Sequence, residues 1–160
     1  MATKTNAQRQ LDKAGVKYWL RDFPIGKEHL DAEAIAALVG LAPERVYKTL
    51  VARGDKSGPL FAVISANRSL DLKALARLSD NRKVALVPLA EVTPLTGYVR
   101  GSTTALAAKK RFPVFLHEEA LGHETICVSA GRRGLQIELA PRDYLAVTGA
   151  VAGQLAADPA

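Results

Sequence analysis

The chain has 160 residues, 48% apolar and 24% charged, the balance of a globular domain long enough to bury a core. No apolar run reaches the roughly 18 residues of a membrane-spanning helix. The polar start, Met1-Ala2-Thr3-Lys4-Thr5-Asn6, lacks the apolar stretch of a signal peptide. Cys127 stands alone, which excludes an internal disulfide and fits a reducing cytoplasm. Three scattered histidines and that one cysteine have no metal-ligand spacing, so neither metal nor cofactor is expected. A net charge of +6 admits a polyanionic partner without demanding one.

A single domain over 1–160, with its core at about 5–155, is expected. Ala7, Leu11 and Ala14 share one side of a helix over 4–14 that Gly15 stops. Residues 16–23 alternate loosely and read as a strand ended by Pro24. Asp31 can cap a helix carrying Ile35, Leu38 and Val39, and Gly40 ends it. A strand begins at Val46. The turn cluster at 54–59 and the apolar run 60–66 make it half of an antiparallel hairpin. Asp71 caps a short helix with Leu72, Leu75 and Ala76 inward. Residues 84–87 read as a short buried strand, 88–95 as a helical turn and 97–110 as a loop. Strands at 114–116 and 126–129 flank a turn at 118–121. Gly131-Arg132-Arg133-Gly134 is a tight turn into 135–139, where Leu135, Ile137 and Leu139 point inward. Pro141 suits the first turn of a last helix closed near Gly149, and the tail to Ala160 is expected to fray. Helices interspersed among strands that pair with their neighbours argue for an α+β fold on a mixed, mostly antiparallel sheet.

Lys48 breaks the strand pattern. With period two it shares a face with Val46, Leu50 and Ala52. A lysine is almost never fully buried unless it is paired, so this one needs a carboxylate, a phosphate or a carbonyl. Ser129, on an alternating strand with Thr125 and Cys127, can face the same cavity. His117 and His123 fall on loops and read as exposed, so Ser129 has no evident base. Cys127 reads as a small core residue, and Glu138 as an outward, solvated one. Two small-residue loops can approach a ligand closely: Gly101-Ser102-Thr103-Thr104, and the 131–134 turn with its two arginines. Arg100, Lys109, Lys110 and Arg111 beside the first loop form a candidate phosphate track. Lys73 and Arg77 are like charges four apart on a helix. Each of these loops and charge clusters, taken alone, reads more readily as ordinary solvated surface than as a ligand site.

Taken in order, five segments carry a family likeness. They are Val46-Tyr47-Lys48-Thr49-Leu50, Leu70-Asp71-Leu72-Lys73, Thr96-Gly97-Tyr98, Lys109-Lys110-Arg111-Phe112-Pro113, and Val128-Ser129-Ala130-Gly131-Arg132-Arg133-Gly134 with Ile137-Glu138-Leu139. Together they resemble the YbaK/EbsC family of aminoacyl-tRNA deacylases. These are free-standing relatives of the editing domain of some prolyl-tRNA synthetases, and the branch acting on Cys-tRNA(Pro) and Cys-tRNA(Cys) looks most similar. The resemblance implies a mixed sheet forming a flattened barrel surrounded by helices. It also implies a tRNA 3′ end in a small pocket and no cofactor. Lys48 matches the family's key catalytic lysine, Ser129 a pocket residue and Gly101 the glycine of the substrate loop. Ser102, Thr104, Gly131 and Phe23 are the further substrate-binding positions. Lys73, Lys109, Lys110, Arg111, Arg132 and Arg133 are the tRNA-binding ones. Prolyl-tRNA synthetase is the implied protein partner. Two positions depart from the pattern: Gly101-Ser102-Thr103-Thr104-Ala105 replaces a Gly-Gly-x-Ser-Pro loop, and Phe23 replaces a tyrosine. They leave open a deacylase for Ala- or Ser-tRNA, a non-catalytic tRNA- or synthetase-binding module, and a small-molecule-binding domain.

Overall fold

The computed structural model of the chain describes residues 3–157. Five helices and ten strands follow in order: α1 Asn6–Lys13, β1 Tyr18–Asp22, α2 Ala32–Val39, β2 Tyr47–Gly54, β3 Gly58–Ser65, β4 Ser69–Leu70, α3 Leu72–Leu78 and β5 Val84–Leu86. Then come α4 Leu89–Thr96, β6 Val114–His117, β7 Ile126–Ser129, β8 Leu135–Leu139, α5 Pro141–Thr148, β9 Val151–Gly153 and β10 Ala156–Ala157.

Local chemistry sets the helix ends. Thr5 and Gln8 form a capping box, each side chain accepting from the other's backbone N–H. Asp31 and Asp71 cap α2 and α3 by accepting from Ala34 and Ala74 N–H. Gly40 and Gly149 take left-handed conformations after α2 and α5, where a side chain would be strained.

The strands form three sheets. The largest has the order β5-β2-β3-β6-β9, antiparallel from β5 to β3 and parallel from β3 to β9. A second, wholly antiparallel sheet runs β1-β8-β7, and β4 pairs with β10. The α+β, mostly antiparallel reading holds. The flattened barrel, however, is built from open sheets. None of the three closes on itself, and the two larger ones meet through one parallel bridge, Val46 to Cys127.

β3 buries both faces, which explains its unbroken apolar run. Phe61 and Val63 face a core shared with Tyr47, Val51, Ile126, Val128, Ile137 and Leu139. Leu60, Ala62 and Ile64 face a second cluster with Leu75, Phe115 and Leu155. Each such large side chain contributes roughly 1.5–3 kcal/mol over leaving it in water.

Several expectations change. Leu38 and Leu72 lie outside, at 47% and 39% exposed. β5 is an edge strand in which Val84 is buried and Leu86 is exposed. The tail does not fray up to Ala157: Leu155 is fully buried, its carbonyl accepts from Asp71 N–H, and its N–H donates to His117 Nδ1. Residues 158–160 lie outside the described residues. His117 is therefore a buried acceptor, 2% exposed, and not a loop residue in water.

Glu138 is not solvated either. One carboxylate oxygen accepts from Arg21 Nε at 2.7 Å. The other accepts from Arg45 at 3.0 Å and from the Thr125 hydroxyl. Arg21 also donates to Val39 O at 3.1 Å, which ties the end of α2 to the sheet. Burial alone would raise the Glu138 pKa, but Thr125, Arg21 and Arg45 outweigh it and hold the carboxyl below its ordinary value. The stabilisation is therefore present above about pH 4.3 and lost as pH falls through the folded value. Urea midpoints measured from pH 7 down to pH 3 should fall more steeply for the wild type than for Glu138→Gln. Parallel curves would remove the ion pair from the stability balance.

Candidate active site

β2 is paired along only part of one edge. At its start Val46 bridges to Cys127, and at its far end β5 pairs with residues from Ala52 onward. Between those points a cavity of about 340 Å³ opens, with the middle of β2 as its floor. That volume lies in the range of small-ligand sites.

Lys48 is half-buried in this wall, and its Nζ donates to Ala66 O at 3.2 Å. Burial pushes its ammonium below the ordinary lysine range, while Glu33 and Asp31 on and before α2 pull it back up. The pattern-breaking lysine thus has a carbonyl for one proton and cavity space for the rest. Ser129 joins it from β7, as expected. Its hydroxyl donates to Ser102 O at 2.8 Å and accepts from Gly131 N–H at 3.2 Å. Those bonds make Ser129 a clamp between two loops, not an activated nucleophile. Gly101 also lines the cavity, with φ at +90°. A Cβ there would stand 3.7 Å from His29 Nδ1, so conformation and not crowding selects glycine.

The other proposed substrate positions stand behind the wall. Ser102 is 2% exposed, with its hydroxyl on Val99 O. Thr104 is fully buried, and its hydroxyl accepts from Leu106 N–H. Gly131 backs onto Tyr98, where a Cβ would lie 2.8 Å from the ring, too close for any side chain. Phe23 is partly buried, its N–H on Gly134 O, and does not line the cavity. None of the four lines the cavity.

The cationic positions divide in the same way. Arg133 donates to Gly26 O at 3.3 Å and Glu28 O at 3.5 Å, strapping the segment before α2 to the 131–134 turn. Arg132 donates to Thr3 O at 2.9 Å. Lys73, Lys109, Lys110 and Arg111 are exposed and lie outside the cavity wall.

Sequence reasoning missed His29 and Gln136 on the wall, named Thr103 only as part of the 101–104 loop, and placed Arg100 only in the phosphate track. Partial burial lowers the His29 pKa from its ordinary value, Arg100 and Arg133 add to that, and Asp31 opposes it. Gln136 is 4% exposed, and its Oε1 has no hydrogen-bond partner among the described residues. A buried acceptor left unpaired costs roughly 1–3 kcal/mol, which a donor on a ligand would recover. One signal was available. Gln136 stands opposite Ser129 in the β7–β8 register, so it shares that residue's face. The opposite rim is apolar, with Leu86 and Leu89 more than half exposed.

Fold and cavity together define a domain with one mostly apolar pocket whose lining includes a half-buried ammonium, Lys48, and one guanidinium, Arg100. The aminoacyl-tRNA editing domain model matches residues 27–147. A protein of Enterococcus faecalis, provisionally named Cys-tRNA(Pro)/Cys-tRNA(Cys) deacylase EbsC, is 46% identical over 145 residues, covering 91% of this chain and 88% of that one. A solved structure provisionally described as a trans-editing enzyme for prolyl-tRNA synthetase superposes with a TM-score of 0.82 at 25% identity, covering 98% and 99% of the two chains. A hypothetical protein, APE2540, shares the fold at a TM-score of 0.85 and 22% identity, over 95% and 99%. The chain belongs to the aminoacyl-tRNA editing domain family.

Cys127 contributes no chemistry here. It is fully buried, and burial pushes its thiol up to about 12. The native protein should leave Ellman's reagent unreacted at pH 8 and react with one equivalent on unfolding. Rapid native reaction would place the thiol at a surface.

Proposed function

We propose that this protein is an aminoacyl-tRNA deacylase that clears Cys-tRNA(Pro) and Cys-tRNA(Cys) in trans. The observation that carries the reading is the half-buried Lys48 ammonium on the wall of a cavity sized for one small amino acid and the ribose behind it. A relative named for this activity and substrate supports it.

Lys48 acts by position and charge. Its Nζ is already a donor to Ala66 O, and its remaining protons suit the terminal phosphate or the ester. It does not take a proton from the substrate. For a cysteinyl ester the substrate supplies its own nucleophile. The thiol sulfur bonds to the carbonyl carbon, the bond to the ribose oxygen breaks, that oxygen takes the thiol proton, and a thiolactone leaves. The protein then has only to hold the ester and exclude bulk. The walls do so with Ile35, Val87 and Val92. The cations at 109–111 meet the tRNA backbone beyond the mouth, and a prolyl-tRNA synthetase in the cytoplasm supplies the mischarged substrate.

Lys48→Ala should lower kcat/KM for Cys-tRNA(Pro) by about 100-fold or more. Its circular dichroism and melting should be preserved. A variant with wild-type rates would end the assignment. Replacing Lys109, Lys110 and Arg111 together by glutamine should flatten the dependence of log affinity on log salt by about 0.7 per lost phosphate contact. An unchanged slope in a tRNA-binding titration would reduce that run to solvated surface.

A further inference from the structure

The hydrogen-bond phase of β2 singles out one residue on the cavity floor. Val46 O accepts from Ala66 N–H at 2.7 Å, so even-numbered residues from Val46 to Gly54 turn their backbone groups toward β3. Odd-numbered residues turn theirs to the opposite edge. Val51 O obeys, accepting from Val87 N–H at 2.9 Å, and Asp55 N–H donates to Lys83 O at 3.1 Å. Strand pairing on that edge covers Ala52 to Gly54 and then stops until the Val46–Cys127 bridge. Thr49 lies between. Its N–H and C=O point to an edge with no strand partner, and that edge is the cavity.

In an antiparallel ladder, a residue facing its partner exchanges both hydrogen bonds with the nitrogen and the carbonyl of one opposite residue. An aminoacyl ester carries that same unit: an α-nitrogen, one carbon, then a carbonyl. We propose that Thr49 pairs with the aminoacyl group as one residue of a missing strand. Its N–H donates to the ester carbonyl oxygen, and its C=O accepts from the α-ammonium. This rests on the deacylase reading and assigns a backbone subsite within it.

The subsite is indifferent to the side chain, which leaves selection to the apolar walls. It also sits where charge develops. When a nucleophile adds to the carbonyl carbon, the π pair moves onto the oxygen that Thr49 N–H holds. Collapse restores the carbonyl, breaks the bond to the ribose oxygen and leaves there the proton the nucleophile gave up. Lys48 N–H, one residue earlier, faces β3 and cannot serve.

Two measurements test this. In the free protein, the Thr49 amide should exchange with deuterium far faster than those of Lys48 and Leu50. On titration with 3′-cysteinylamido-adenosine, its ¹⁵N–¹H peak should shift and its exchange should slow. Replacing Thr49 by its α-hydroxy-acid analogue removes the N–H and keeps the side chain. It should lower kcat for Cys-tRNA about 100-fold with little change in KM. A Thr49 amide as protected as its neighbours, a peak unmoved by saturating analogue, or an unaltered kcat in the ester variant overturns the proposal. A wild-type protein without deacylase activity whose Thr49 peak still shifts would overturn the catalytic reading and leave the subsite standing.

Discussion

A strand in the middle of a sheet is ordinarily paired on both edges, because buried backbone N–H and C=O groups must find partners. β2 departs from this over a few residues. β5 reaches it only from Ala52 and β7 only at Val46. The gap cannot be filled by water-excluding packing without leaving polar groups unpaired, so it persists as a cavity with polar backbone on its floor. Lys48, Ser129, Gly101 and Gln136 are arranged around that gap.

The rest of the fold keeps the gap from collapsing. Arg21 and Arg45 grip Glu138 on the face of the smaller sheet, and Arg21 also holds the end of α2. That fixes α2 as a wall carrying Asp31 and Ile35 into the cavity. Ser129, bonded at once to Ser102 O and Gly131 N–H, locks the two glycine-containing loops to β7. Arg133 straps the chain ahead of α2 to the same turn. The site is thus a void in a ladder, braced by an ion pair on one side and by a serine clamp on the other.

Much of this was legible in the chain. Periodicity located the hairpin and the Leu135–Leu139 strand, glycines marked the helix ends, and the misplaced lysine marked a cavity wall, because these signals are local. The pairing of β6 between β3 and β9, the short β4–β10 ladder and the burial of His117 and Leu155 depend on residues far apart in sequence. Phe23, Ser102 and Thr104 stand at positions where the chain departs from the family pattern and were expected at the site, yet sequence neighbours of a wall residue need not be on the wall. Alternation along an irregular loop put Thr103 in the cavity and Thr104 behind it.

Residue pattern alone was enough to place a lysine among apolar residues on a strand and glycines in the loops near it. It also carried enough ordered motif to identify an aminoacyl-tRNA editing domain. Those properties reside in side-chain chemistry and short-range backbone preference. That the edge of β2 beside that lysine has no strand partner emerges from the packing of distant strands. Whether a strand edge is covered depends on where the neighbouring strands begin and end, and no residue of β2 encodes the register of β5 and β7.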